Sequence, residues 1–136
     1  MRAMNKLRTN VFMKKPWGAE IIWSLTDSYM AKTVDISPNN STPLMTHQTK
    51  EISLIVTRGP LHLLYDIPTK AYDLPEGWSW HINAGTPYRY EALDKPVTLI
   101  EVSTPQLDDL ISVEVPKLPT ENEVKRKRRS KKNGTS

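Results

Sequence analysis

The chain of 136 residues carries 19 Lys and Arg against 15 Asp and Glu, for a formal net charge of +4, and it contains no cysteine. This length fits a single domain, and the lack of cysteine excludes a disulfide framework, a thiolate zinc site and a thiol nucleophile. No apolar run approaches the roughly 18–20 residues of a membrane span, and the N-terminal sequence MRAMNKLRTNVFMKK lacks the apolar region of a secretory signal. We therefore expect a cytoplasmic protein with no membrane span.

Short apolar or alternating runs recur along the chain between clusters of turn-forming residues. Eleven prolines oppose long helices, and runs spaced about ten residues apart are typical of an all-β sandwich or barrel. The apolar spacing in residues 104–111 is the one place that predicts a short helical turn. The predicted strands, in chain order, are residues 21–23, 29–36, 52–57, 61–65, 78–82, 88–92 and 97–102.

The charge is divided unevenly along the chain. Residues 1–116 hold 11 Lys and Arg against 13 Asp and Glu, whereas residues 117–136 hold 8 against 2. A block of like charge without aromatic residues cannot bury enough apolar surface to fold, so we predict one domain at 1–116 and a disordered basic tail at 117–136. The basic run KRKRRSKK at 125–132 could contact nucleic acid, an anionic membrane or an acidic partner, could act as a nuclear address, or could only solubilise the chain.

Five short motifs follow one another between residues 15 and 114. They are KPWGAE at 15–20; Lys32 with Ile36; His47 with Glu51 and Gly59; Gly77 with Gly85; and IEVS at 100–103 followed by LDDL at 107–110. Their order resembles the cupin barrels, specifically the small cupin domain of type II mannose-6-phosphate isomerases. The resemblance implies the fold of a double-stranded β-helix, which is the jelly-roll barrel of cupins. It also implies a homodimer. Residues 10–13 are a candidate for the dimer contact.

The resemblance also implies a divalent metal (Mn, Fe, Ni or Zn) held by two histidines one residue apart, a following glutamate and a histidine of the second motif. His47 and Glu51 match one histidine and the glutamate, and His47 could equally bind a substrate oxygen. Met45 holds the place of the other first-motif histidine, and a thioether is a poor ligand for hard divalent ions. Tyr88 holds the place of the second-motif histidine. The expected metal site is therefore degenerate.

Two further histidines could complete this site if they turned inward. His62 and His81 each alternate with apolar neighbours. This alternation favours an orientation toward solvent or the barrel wall over a role as a metal ligand.

Several side chains at the matching positions could bind or convert a sugar. Tyr88 could exchange hydrogen bonds with a sugar hydroxyl, and Arg89 could pair with a phosphate or carboxylate, unless it is an exposed strand arginine. Isomerising an aldose to a ketose needs a base near the carbon and a metal or cation for the enediolate oxygens. Glu51 or Glu101 could be that base, and Lys32 or Arg89 that cation.

Two classes of function follow from these observations. The first is a cupin that binds a carbohydrate or sugar phosphate and, if it is an enzyme, isomerises it as mannose-6-phosphate isomerases do. The second is a non-catalytic barrel that binds a small molecule or dimerises, with its basic tail contacting an anionic partner. Because fold alone does not determine function, the sequence leaves both open.

Overall fold

The computed structural model describes residues 10–66, 70–106 and 110–112, and these residues form strands and no helix. The predicted all-β class is therefore confirmed. Within the described ranges, no helix has the length and apolarity needed to cross a membrane. The predicted basic tail at 117–136, with its run at 125–132, lies outside the described residues.

Twelve strands can be followed along the described chain. They are β1 (Val11–Lys15), β2 (Gly18–Leu25), β3 (Met30–Ile36), β4 (Asn40–Ser41), β5 (Met45–His47), β6 (Ile52–Arg58), β7 (Leu61–Tyr65), β8 (Ala71–Leu74), β9 (Ser79–Ile82), β10 (Tyr88–Ala92), β11 (Val97–Ser103) and β12 (Leu110–Ser112).

The strands form two antiparallel sheets that enclose one core. The first sheet has the order β1-β2-β3-β11-β6-β9, and the second has the order β12-β5-β10-β7-β8, with β4 paired to β10. Strands far apart in the sequence lie side by side, such as β3 with β11 and β5 with β10. This arrangement is the jelly roll of a double-stranded β-helix.

Alternation along the strands decides which side chains enter the core. In β6, Ile52 and Leu54 are buried, whereas Ser53 and Ile55 between and after them are exposed. In β11 the inward row begins with apolar residues and then reaches Glu101, which is also buried. A carboxylate therefore occupies an inward position in a strand whose other inward positions are mostly apolar.

The seven predicted strands are all present, with ends that differ by up to a few residues. Sequence patterns did not predict β1, β4, β5, β8 and β12, which are short or lack alternating apolar residues. The helical turn predicted at 104–111 is wrong at its end, because Leu110 and Ile111 lie in β12. There they pair with His47 and Thr46 of β5, and this long-range pairing overrides a weak local helical preference.

Candidate functional site

A cavity of about 610 Å³ lies between the two sheets. The first sheet contributes β1, β2, β3 and β11 to its walls, and the second sheet contributes β4, β5 and β10. The lining residues on which the site depends are Lys15, Trp17, Glu20, Lys32 and Glu101 from the first sheet and its β1–β2 turn, and Met45, His47, Tyr88, Arg89 and Tyr90 from the second.

Three charged side chains lie together on the first-sheet wall, and we call them the charged cluster: Glu20, Lys32 and Glu101. Lys32 and Glu101 are direct neighbours in the register of β3 and β11. The Lys32 Nζ lies 3.2 Å from the Glu20 Oε2 and 3.6 Å from the Glu101 Oε1. Glu101 is only 3 % exposed, and the side chains of Lys32 and Glu20 are 18 % and 14 % exposed. Charges withdrawn from water to this degree need charged or hydrogen-bonding partners, and each of the three has one.

The charged cluster keeps Lys32 in its protonated form. Burial lowers the pKa of Lys32, but the carboxylates of Glu101 and Glu20 raise it by more than burial lowers it. The pKa of Lys32 therefore lies above its ordinary value. Lys32 is therefore a cation at neutral pH and a hydrogen-bond donor at the cavity wall.

Tyr90 connects the charged cluster to the second sheet. Its hydroxyl donates a hydrogen bond to the Glu101 carboxylate, and both residues are buried. Its backbone N–H donates to the Thr42 Oγ1 at 3.0 Å, which fixes the position of β10. Burial, and then the charge of Glu101, raises the pKa of Tyr90 well above its ordinary value, so the phenol remains a donor at neutral pH.

His47 and Tyr88 form a polar pair on the second-sheet wall. The His47 Nε2 lies 2.9 Å from the Tyr88 hydroxyl oxygen, and the two rings stack with centroids 5.9 Å apart. Burial, and then the carboxylates of Glu101 and Glu20, raises the pKa of Tyr88 well above its ordinary value. The phenol is therefore neutral, and it donates to or accepts from the imidazole according to the tautomer of His47.

Glu51 does not line the cavity. Its Oε1 lies 2.6 Å from the His81 Nε2, and its Oε2 accepts a hydrogen bond of 2.6 Å from the backbone N–H of Ala84. The side chains of Glu51 and His81 are 42 % and 49 % exposed. Glu51 directly precedes the inward-facing Ile52, the first residue of β6, and neighbouring residues of an extended chain point to opposite faces. The side chain of Glu51 therefore points away from the core. His47 lines the cavity whereas Glu51 does not, so the two residues predicted as metal ligands are not placed together there.

The two remaining histidines also lie outside the cavity. The His62 Nδ1 is 2.7 Å from the Asp73 Oδ1, and its Nε2 is 3.7 Å from the Glu91 Oε1. The His81 Nδ1 is 3.0 Å from the Ser53 Oγ. Both histidines therefore point toward the outside of the barrel, as strand alternation favours. Neither lies beside His47 in the cavity lining.

Arg89 contributes to the cavity wall, and one end of its guanidinium approaches Glu91. Arg89 lies between Tyr88 and Tyr90, which are both buried and inward, and neighbouring residues on a strand alternate. The Arg89 Nη1 lies 4.0 Å from the Glu91 Oε2, and its side chain is 36 % exposed. The Arg89 Nε is buried, so the side chain is of intermediate exposure, and its role in binding a ligand stays a prediction.

The cavity residues do not fit a divalent metal centre. Within the described parts of the chain, no group of three or more His, Asp and Glu side chains is placed to hold a metal ion. The His47 Nε2 is hydrogen-bonded to the Tyr88 hydroxyl. Met45, which also lines the cavity, offers only a thioether. A metal site of the cupin type needs several clustered nitrogen and oxygen ligands, and these side chains do not supply them.

Glu20 and Tyr90 belong to the site but were not predicted from the sequence. Tyr90 could have been found, because it lies two residues after Tyr88 and so shares its strand face. Glu20 gave a weaker signal, since only the pairing of β2 with β3 brings it near Lys32. Lys32, His47, Tyr88 and Glu101 were predicted, and all four line the cavity.

The contacts of Glu51 predict a pH effect on stability. The N–H of Ala84, and then His81, lowers the pKa of Glu51 below its ordinary value. A lowered folded-state pKa stabilises the fold above the unfolded pKa of about 4.3, and this contribution is lost as the pH falls through the folded value. We therefore expect wild type to exceed Glu51→Gln in urea midpoint at pH 7, and the difference to shrink below about pH 4. A difference that is constant from pH 7 to pH 3 would contradict this.

Similarity to known proteins is confined to solved structures. No protein-family model matches the chain, and no curated protein matches it. The chain is similar to KdgF from Halomonas sp., with 17 % identity over 72 % of this chain and 88 % of that chain, at a TM-score of 0.64. It is also similar to an RmlC-like cupin from Shewanella frigidimarina, with 14 % identity over 79 % of this chain and 97 % of that one, at a TM-score of 0.65.

A third similar structure is a longer protein. It is the capsular polysaccharide assembling protein CapF from Staphylococcus aureus, with 16 % identity over 80 % of this chain and a TM-score of 0.69. The match covers 34 % of CapF, so this chain corresponds to about a third of that protein. At such identities the likeness concerns the fold alone, and that fold is the double-stranded β-helix of cupins.

Proposed function

We propose that this chain, a barrel with the cupin fold, binds a carbohydrate in the cavity between its sheets and does so without a metal ion. The observation that carries this proposal is the charged cluster of Glu20, Lys32 and Glu101, which lines the same cavity as the pair of His47 and Tyr88. Buried polar groups that line an open cavity are suited to a ligand rich in hydrogen-bonding groups.

The chemistry of the walls matches that of a sugar. Each sugar hydroxyl both donates and accepts a hydrogen bond, as the hydroxyls of protein side chains do. Lys32 supplies a donor, Glu20 an acceptor, and the pair of His47 and Tyr88 supplies both. Trp17 is largely buried in the same wall and offers an apolar ring against which a sugar face could pack. The cavity of about 610 Å³ is within the ordinary range for small-molecule sites.

Fold analogy supports the proposal only weakly. One similar structure carries the name of a capsular polysaccharide assembling protein. A shared fold hosts many unrelated functions, so the weight of the proposal rests on the side chains of the cavity.

Binding without isomerisation is the function that the geometry favours. A base for isomerisation must be free to take a proton from the sugar. Among the described cavity residues, Glu20 is paired with Lys32, and Glu101 is engaged by both Lys32 and Tyr90. The mannose-6-phosphate isomerase activity implied by the motif resemblance stays a prediction.

The homodimer and an anionic partner for the tail at 117–136 likewise stay predictions.

Calorimetric titration with glucose, mannose and galactose in EDTA-containing buffer tests the proposal. We expect at least one of these sugars to bind. We expect His47→Ala or Tyr88→Phe to weaken that binding about tenfold, because each removes a hydrogen bond worth about 1 kcal/mol or slightly more. His62→Ala is the matched control, since His62 contacts Asp73 outside the cavity and should leave affinity unchanged.

Three results would contradict the proposal. The first is that none of the sugars binds. The second is that His62→Ala weakens binding as much as His47→Ala does, which would place the ligand elsewhere. The third is that binding requires an added divalent metal.

A further inference from the structure

A chain of hydrogen bonds links three side chains on the outer face of the first sheet, and we call them the outer-face triad: Ser53, His81 and Glu51. Ser53 of β6 and His81 of β9 are direct partners in the strand register. The Ser53 Oγ lies 3.0 Å from the His81 Nδ1, and the His81 Nε2 lies 2.6 Å from the Glu51 Oε1. All three residues lie outside the lining of the cavity between the sheets.

The partners of His81 decide which of its ring nitrogens carries the proton. An ionised carboxylate can only accept hydrogen bonds, so the His81 Nε2 donates to Glu51. The other nitrogen of a neutral imidazole is an acceptor, and the Ser53 hydroxyl therefore donates to the His81 Nδ1. The imidazole thus directs a lone pair at a hydroxyl, which is the relation of a general base to a nucleophile.

The carboxylate of the outer-face triad is held in place by the backbone. The N–H of Ala84 donates to the Glu51 Oε2 at 2.6 Å, which leaves the Oε1 for His81. This bond, and then the contact with His81, lowers the pKa of Glu51, so Glu51 is ionised at neutral pH. An ionised and fixed carboxylate keeps the imidazole in one tautomer and one orientation.

The same order of groups occurs in enzymes that transfer acyl groups. A serine, a histidine and a carboxylate activate the serine oxygen of hydrolases on several unrelated folds, where the triad is recognised by its geometry. In the outer-face triad the two ring nitrogens have exchanged partners, because the Nδ1 and not the Nε2 faces the hydroxyl. Either nitrogen can take the proton when the other donates to a carboxylate.

Apolar side chains border Ser53 on the side away from His81. Val102 of β11 is the register partner of Ser53 in the other neighbouring strand, and Ile55 follows on the same face of β6. Side chains directly opposite in antiparallel strands lie about 5 Å apart at Cβ. Val102 and Ile55 are 45 % and 42 % exposed, so both offer apolar surface next to the Ser53 hydroxyl. Ser53 therefore lies between a polar half and an apolar half of this face.

We propose that the outer-face triad is a second site, which transfers the acyl group of a small aliphatic ester to Ser53 and then to water. Ser53 is the nucleophile, His81 is the base, and Glu51 is a positioning residue that acts through His81. The acyl chain packs on Val102 and Ile55. Esters of phenols and similarly weakly basic alcohols are the expected class, because a good leaving group needs less stabilisation of the tetrahedral oxyanion.

The reaction needs only the ester and water. The Ser53 Oγ attacks the carbonyl carbon while its proton passes to the His81 Nδ1. The bond from that carbon to the alcohol oxygen then breaks, and the alcohol leaves with the proton. Water attacks the acyl-serine, gives a proton to His81, and releases the carboxylic acid as Ser53 recovers its hydroxyl proton.

Hydrolysis of p-nitrophenyl butyrate by the purified full chain at about pH 8, where a histidine of ordinary pKa is neutral, tests the proposal. We expect wild type to release p-nitrophenol at least about tenfold faster than Ser53→Ala, and His81→Gln to be about as slow as Ser53→Ala. Ser53→Ala retains His81, so its residual rate measures hydrolysis by the imidazole alone.

Glu51→Gln tests the positioning role. We expect it to lower kcat about tenfold and to leave KM unchanged, because Glu51 does not touch the ester. A fall in kcat/KM that arises from KM alone would overturn this role.

Labelling with a fluorophosphonate gives a readout that does not depend on turnover. The oxygen of an activated serine displaces fluoride from phosphorus, and mass spectrometry of peptides locates the adduct. We expect the adduct at Ser53 in wild type and its loss in His81→Gln. His62→Gln is the matched control, because His62 pairs with Asp73 on the second sheet, and it should keep the wild-type rate and labelling.

The outcomes that overturn the proposal are distinct from those that concern the cavity. Ester hydrolysis by Ser53→Ala at the wild-type rate would overturn it, and so would a fluorophosphonate adduct that forms elsewhere or not at all. Equal losses of activity in His62→Gln and His81→Gln would assign the hydrolysis to exposed imidazoles in general, and would also overturn it. Neither measurement involves a sugar, so carbohydrate binding in the cavity stands or falls separately.

Discussion

Replacing Lys32 with methionine is expected to lower the free energy of unfolding by about 3 kcal/mol. The substitution leaves the Glu20 and Glu101 carboxylates without their shared cation, and Glu101 is only 3 % exposed. An uncompensated charge inside a protein costs far more than the loss of an exposed ion pair. The measurement is urea unfolding at pH 7, with Lys14→Met as the control. Lys14 is exposed on β1, and its loss should change stability by no more than about 0.5 kcal/mol.

One further result identifies the cause of that loss. Adding Glu20→Gln and Glu101→Gln to the same chain should restore most of the stability. If Lys32→Met is no worse than Lys14→Met, the charged cluster does not depend on its cation, and the account of the site is wrong.

Replacing Gly18 with alanine is expected to cost about 3 kcal/mol through a direct backbone clash. A Cβ at this position would lie 2.0 Å from the carbonyl oxygen of Asp35 and 3.1 Å from the Cα of Ile36. Both atoms belong to the backbone of β3, which pairs with β2 at this point, so the two strands would have to separate. The loss should appear in urea unfolding, and the displaced β2 should also weaken sugar binding because it carries Glu20.

Gly85→Ala is the control for the Gly18 variant. A Cβ at Gly85 would meet no atom within 4 Å, although its positive φ of 81° strains any other residue. That strain is worth about 1 kcal/mol. The Gly18 variant should therefore be the more damaging by about 2 kcal/mol. Equal losses would show that crowding by β3 does not explain the glycine in the Pro16-Trp17-Gly18 motif.

Local alternation accounts for the part of the fold that the sequence predicts well. In β6, alternation marks Ile52, Leu54 and Val56 as inward, and all three are buried. The same rule, applied strictly, assigns Arg89 to the face opposite Tyr88, as observed. The motif resemblance instead grouped Arg89 with the ligand-binding residues, because matching positions carry no information about the direction of a side chain.

The charged cluster depends on pairings that no local pattern reveals. Lys32 and Glu101 are 69 positions apart and become neighbours only because β3 pairs with β11. Glu51 is a second residue whose placement motif position alone did not reveal. Its place in the motif predicted a ligand beside His47, but its phase on the strand, one residue before Ile52, directs it to His81. Such a shift of one residue reverses the face of a strand and cannot be read from motif spacing alone.

The most direct test of carbohydrate binding in the cavity is chemical-shift mapping of the ¹⁵N-labelled protein during titration with the hexose that binds best. We expect the largest amide shifts at Lys32, Tyr88 and Glu101, which belong to three different strands and all line the cavity. Little change is expected at Ser53 and His81 on the outer face of the first sheet. Shifts confined to Ser53 and His81, or no shifts at millimolar sugar, would contradict the account.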